Sequence, residues 1–237
     1  VLLSGWNYYK IVLNKCFKRS ATTELAMVQK DTVTSILNAA EELFSERGFA
    51  ETSLRNITTR AGVNLAAVNY HFGSKKELIQ AVFSRFLRPF CVLLESKLAE
   101  LHKTQPDFNE LLMLMAHTAL QASHGKPKRL AIFMRLLGLA YSQGQGHLRR
   151  FLQKEYTPVF GGFMQLIKAA SPELSDEERF WRIHFMLGAT AFTLSGADAL
   201  MAMAEHDLGK GSDFTQVLNR LIPFLAAGMN APILEPT

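Results

Sequence analysis

A chain of 237 residues that is 48% hydrophobic, with a mean hydropathy of +0.05, has material for one large or two small cored domains, and its apolar content fits a buried subunit interface, an apolar cavity or simply a well-packed core. Two cysteines, Cys16 and Cys91, exclude a disulfide framework and a C-x-x-C site and fit a reducing, cytoplasmic setting, while no apolar run approaches the roughly 20 residues of a membrane-spanning helix. The net charge of +5 invites a nucleic-acid partner, yet Lys10, Lys15, Lys18 and Arg19 against Glu24 supply most of it, so a local basic face counts for more than the bulk value.

Residues 1–27 mix aromatics with lysines and lack the continuous apolar core of a signal peptide. They read as an N-terminal extension, disordered or belonging to a misassigned start with Met27 as the natural first residue; a basic arm on DNA is the alternative. The first helix is expected from Asp31 to Arg47, with Val33, Ile36, Leu37, Ala40, Leu43 and Phe44 at helical spacing and Gly48 as its stop. Ser53 to Ala61 is the second helix. Gly62 ends it by reaching positive φ without a Cβ penalty, and Asn64 caps the third. From Leu65 to His71 that third helix is only roughly 10 Å long, short enough to lie across a major groove. Val63, Val68 and Phe72 anchor it. Ser74 and Glu77 form an S-x-x-E capping box that opens a fourth helix running toward His102 and bent at Pro89.

Further helices are expected over Phe108 to Ala122, Lys128 to Tyr141, His147 to Ala170 with a kink at Pro158, Ser175 to about His206 opened by a second capping box with Glu178, and Asp213 to Met229. The fold class is therefore all-α with about nine helices: a three-helix helix-turn-helix domain over residues 28–75, then a helical bundle over 76–237. Strand-period alternation and internal repeats are absent from the pattern.

Ile36 to Phe44, Arg47-Gly48-Phe49, Thr52-Ser53, Ile57, Ala61-Gly62-Val63, Tyr70, Phe72, Ser74-Lys75 and Leu78 resemble the TetR-type transcriptional regulators. The resemblance implies an all-helical homodimeric repressor of a double-stranded DNA operator, with a C-terminal ligand-binding and dimerisation domain. Many members carry Thr-Leu-Tyr-His-Tyr-Phe in the recognition helix; here the run is Ala67-Val68-Asn69-Tyr70-His71-Phe72. The expected DNA contacts are Ser53, Arg55, Asn64, Leu65, Ala66, Ala67, Asn69, Tyr70, His71 and Lys75, with Tyr70, His71 and Lys75 on phosphates and Arg55, Asn64, Leu65, Ala66 and Asn69 nearer base edges. Phe133 to Gln143, Gly146 to Arg150, Phe180 to Ala189 and Asn64 to Phe72 are similar to the PsrA branch of that family. This implies a regulator of fatty-acid metabolism relieved by a long-chain fatty acid such as oleate, or its acyl-CoA. The alternative is a TetR-type repressor of an efflux or other catabolic operon that answers to a different hydrophobic molecule.

A fatty-acid pocket needs an apolar tunnel and one group for the carboxylate, because an unpaired buried charge is costly. Arg135 is the first candidate for that group and His184 the second, with Phe133, Met134, Leu137, Tyr141 and Met186 as apolar lining; an ordinary structural salt bridge for Arg135 and a core histidine for His184 are the bland readings. Ala189, Ala191, Gly196, Ala197, Ala199, Ala202 and Ala204, with Leu221, Phe224 and Leu225, point to the last two helices as the dimer interface, with packing inside the bundle as the alternative. No G-x-S-x-G, Walker loop or H-E-x-x-H occurs, so an enzyme, a metal site or a cofactor is not expected.

Overall fold

The periodic apolar pattern produces ten helices among the described residues of the computed structural model, which are 23–101 and 105–233, with side chains from Asp31 onward. They are α1 Thr23–Glu51, α2 Leu54–Ala61, α3 Leu65–Phe72, α4 Lys75–Leu101, α5 Phe108–Ala122, α6 Pro127–Ser142, α7 Gly146–Ala169, α8 Asp176–Ser195, α9 Ala197–Leu208 and α10 Phe214–Met229. The expectation for the N-terminal extension falls on residues 1–22 outside the described ones, and α1 is in place from Thr23. Among the described residues no single helix is long and apolar enough to cross a membrane.

One expected helix is two. The run from Ser175 toward His206 breaks between Ser195 and Gly196, and α9 leaves α8 at a 72° bend. Gly196 caps both helices at the break, and the Arg135 guanidinium donates to the Ser195 carbonyl at 2.9 Å, satisfying a helix-end acceptor that a continuous helix would have kept inside its own ladder. The second capping box is also only half formed. Ser175 Oγ accepts the Glu178 N–H, but the Glu178 carboxylate turns away to Arg182 Nε at 2.8 Å.

The helices group into two compact units, one holding the described residues up to Arg85 together with Gln143–Glu155, the other Phe86–Ser142 together with the described residues from Tyr156. The expected division at 75/76 lies inside the first unit, which also takes in the start of α7. Its core is Ile36, Ala40, Leu43, Phe44, Phe49, Ile57, Val68, Leu78 and Phe83, all essentially inaccessible. The Phe49 ring sits 5.3 Å from Phe44 and 6.4 Å from Phe83. Burying side chains of this size stabilises by about 1.5–3 kcal/mol each, which is what holds α3, too short to persist alone.

In the second unit, Phe86 stacks on Phe133 at 4.0 Å and 15°, and α6 packs along α8 while α10 packs against α5 and α8. Two buried arginines finish helix ends here. Arg179 donates to the Ser171 carbonyl and hydroxyl just beyond α7, and Arg182 donates to the carbonyls of Met229 and Ala231 at the end of α10. Cys91 is buried, and that burial, with Glu95 nearby, pushes its thiol up to about 12, so it is no nucleophile at neutral pH.

Candidate functional site

The helix-turn-helix is built by local capping. Ser53 Oγ accepts the Asn56 N–H at 3.1 Å while Asn56 Oδ1 accepts the Ser53 N–H at 3.0 Å, a reciprocal box that starts α2. Gly62, at φ 68 and ψ 31, closes α2 in the left-handed conformation, and Asn64 Oδ1 accepts the Ala67 N–H at 2.8 Å to start α3. Val68 is fully buried and pins α3 to the unit, with Val63 and Phe72 only half-buried beside it. Arg55, Asn64, Leu65, Ala66, Asn69 and Tyr70 are exposed, and Ala67 and Lys75 are half-buried beside them. All ten expected DNA-contact residues thus lie on or next to α2, α3 and the start of α4, although the Ser53 side chain and the Asn64 carboxamide oxygen are already engaged in caps.

Three side chains here carry perturbed charge. Burial pulls the Lys75 ammonium below the ordinary lysine range, against the opposing pull of Glu51, and Lys75 Nζ donates to the Ala50 carbonyl at 3.4 Å. His71 is held below the ordinary histidine range by burial, and His147 by burial together with the charges of Lys76 and Arg150. His71 Nδ1 and His147 Nε2 are buried without a hydrogen-bond partner, which favours the neutral rings. The unfolded chain therefore binds these protons more readily than the folded one. The stability that neutral rings confer is complete above the ordinary histidine value, about pH 6.5, and is lost as pH falls from there toward the lowered folded values. Thermal melts taken from pH 7.5 down to about pH 5.5 should show a falling Tm that His147→Gln makes shallower; an equally steep fall in that variant would remove His147 from the account.

In the second unit an open pocket of about 650 Å³ runs along α6 and α8. Five expected ligand residues line it: Met134, Arg135, Leu137, Tyr141 and His184. Two do not. Phe133 is turned into the core onto Phe86, and Met186, two residues beyond His184 on a helix that turns about 100° per residue, faces away from that wall. Sequence reading missed Leu187, Gly188, Ala191, Phe192 and Ser195, which follow His184 at i+3, i+4, i+7, i+8 and i+11 and form one face of α8. His184 Nδ1 donates to the Phe180 carbonyl at 2.7 Å, since a carbonyl can only accept, and its ring packs 4.1 Å from Phe180 and edge-on to Tyr141. Arg135, exposed, spends one Nη2–H on Ser195 and is the one Lys or Arg among the described lining residues.

A capped helix-turn-helix in one unit and a pocketed helical bundle in the other define a regulatory class of all-helical proteins. Comparison with known families agrees: residues 36–82 match the model described as bacterial regulatory proteins, tetR family, and residues 113–228 match the tetracyclin repressor-like C-terminal domain, so that the two together cover more than half of the chain. The chain belongs to the tetR family of bacterial regulatory proteins. It is 41% identical over 69 residues to the HTH-type transcriptional repressor Rv3405c of Mycobacterium tuberculosis, a match covering 29% of this chain and 37% of that repressor, so it spans little more than a third of that relative's length. A tetR-family crystal structure from Shewanella sp. PV-4 shares the fold at TM-score 0.54 and 18% identity, covering 82% of this chain and 95% of the other. The fatty acid degradation regulator FadR from Bacillus halodurans does so at TM-score 0.53 and 18% identity, covering 83% and 95%.

Proposed function

We propose that this chain is a DNA-binding transcriptional regulator, mainly a repressor of fatty-acid metabolism genes, which holds a palindromic operator as a homodimer and is released by a long-chain fatty acid or acyl-CoA. One observation carries the DNA reading: α3 is fixed from behind by the fully buried Val68 while Leu65, Ala66, Asn69 and Tyr70 face solvent. A helix with small and amide side chains outward can approach base edges closely, and Lys75, with its charge already partly stripped of water, can exchange the Ala50 carbonyl for a phosphate oxygen. The name of the mycobacterial relative, a transcriptional repressor, supports the same direction of control.

The homodimer is supported by apolar surface that one subunit leaves uncovered. Trp181, Phe185 and Phe192 on α8 and Phe224 on α10 are each at least half exposed, whereas Leu221 and Leu225 are spent inside the chain. Apolar surface of this kind marks an interface, and two-fold pairing sets two recognition helices about 34 Å apart, one turn of DNA.

The fatty-acid reading rests on the likeness of residues 64–72, 133–143, 146–150 and 180–189 to the PsrA branch. The pocket is compatible with it: its size falls in the range of about 300–1,000 Å³ common to small-molecule sites, its walls are mainly apolar, and Arg135 retains N–H groups for a carboxylate. An effector shifts DNA affinity only by as much as it prefers one state over the other. Saturating oleate or oleoyl-CoA should weaken operator binding, followed by fluorescence anisotropy, by roughly 5–150-fold. Unchanged affinity removes the fatty-acid assignment and leaves the DNA reading standing, and release by another apolar compound would favour the efflux or catabolic alternative.

A further inference from the structure

The turn between α6 and α7 carries a side chain that neither the outward face of α3 nor the pocket uses. Gln143 Oε1 accepts the Phe49 N–H at 3.1 Å, a bond between residues 94 positions apart. That amide is available because the helix is broken just before it. Gly48 stands at φ 80 and ψ 173, a conformation open essentially to glycine alone, and so frees the Phe49 N–H to bond outside the helix ladder. The same glycine makes room. A Cβ at position 48 would stand 2.6 Å from Gln143 Nε2, so the carboxamide is seated directly on the bare backbone.

The corner that Gln143 grips is the one from which the helix-turn-helix departs. Phe49 is the ring between Phe44 and Phe83, and the fully buried Thr52 closes the corner by donating to the Gly48 carbonyl at 2.8 Å and the Leu43 carbonyl at 3.1 Å. One residue later Ser53 caps α2, and α3 follows. On the other side of Gln143, the two residues that precede it, Tyr141 and Ser142, line the pocket.

We infer that Gln143 is a positioning residue for DNA binding: its carboxamide fixes the Gly48–Phe49 corner and so the set of α3, and it passes to that corner whatever an occupant of the pocket does to the end of α6. This rests on the reading of the chain as an effector-released DNA binder. Gln143→Leu removes the acceptor at similar volume, and Gln143→Glu keeps an oxygen in its place.

The test uses the full-length protein, with amide hydrogen exchange at Phe49 as a readout that needs neither DNA nor effector. Q143L should exchange Phe49 at least about tenfold faster than wild type while its Tm stays within a few degrees, and Q143E should restore the protection. Operator affinity should fall roughly tenfold in Q143L and by less than about threefold in Q143E, and with oleate as probe the ratio of affinities without and with it should collapse toward one in Q143L although oleate still binds. Wild-type Phe49 exchange in Q143L, or faster exchange with wild-type operator affinity and an undiminished oleate response, overturns the inference. A wild-type protein that does not prefer its operator over random DNA refutes the DNA reading instead. If oleate leaves the wild type unmoved, the fatty-acid reading fails and the operator affinities of Q143L and Q143E decide the role of Gln143.

Discussion

Arg182→Ala should destabilise the second unit by roughly 2–4 kcal/mol, lowering Tm by about 5–15 °C for a protein of this size. The side chain is buried, with Nη1 donating to the Met229 carbonyl at 2.8 Å and the Ala231 carbonyl at 2.6 Å and Nε to Glu178 at 2.8 Å. The Met229 carbonyl is one of the four acceptors at the end of α10 that lack intrahelical partners, and Ala231 lies two residues beyond that end. Glu178 is 37% exposed, so water screens its charge and the loss lies mainly in the orphaned carbonyls. Glu178→Gln should accordingly cost less than about 1 kcal/mol. Calorimetry of the two variants separates these contributions: equal losses would move the effect from the carbonyls to the ion pair.

The second large effect tests the proposed division of DNA contacts between α3 and α4. Asn69→Ala should cost about 1–3 kcal/mol on the preferred sequence and much less on random DNA, because an exposed carboxamide on a groove-sized helix hydrogen-bonds base edges. Lys75→Ala should weaken preferred and random sequences alike and reduce the slope of log affinity against log salt by about one per subunit, because an ammonium beside the start of α4 meets phosphates. Binding isotherms over a salt series on both kinds of DNA read the two losses independently. A change in sequence preference in Lys75→Ala, with its salt slope intact, would reverse the assignment.

Much of the first unit was legible because its signals are local. Gly48, Ser53, Gly62 and Asn64 each act on backbone within three or four residues, and all four stop or start a helix where their chemistry requires. The second unit was less legible because its helix ends are finished by side chains of other helices. In the run Phe192-Thr193-Leu194-Ser195-Gly196-Ala197 a lone glycine is a weak stop signal among small residues that keep helical spacing, and the break at Gly196 is marked as well by a guanidinium from α6 on the Ser195 carbonyl. Arg179 and Arg182 look like ordinary helix charges in sequence and prove to be buried caps on the ends of other segments. The pocket lay between these cases. Arg135 and His184 were singled out by residue type and line it, but the α8 wall through Phe192 needed its helical phase, and Phe133 was drawn into the core by Phe86, a partner 47 residues earlier.

The central claim, that the outward face of α3 reads a two-fold operator under control of an apolar ligand, is tested most directly by genome-wide mapping of sites bound by the full-length protein in cells grown with and without oleate. The account predicts discrete sites that share an inverted repeat with half-sites about one DNA turn, roughly 34 Å, apart, next to fatty-acid metabolism genes and vacated when oleate is supplied. Binding that follows no common sequence, or a shared sequence without two-fold symmetry whose occupancy ignores oleate, would contradict it.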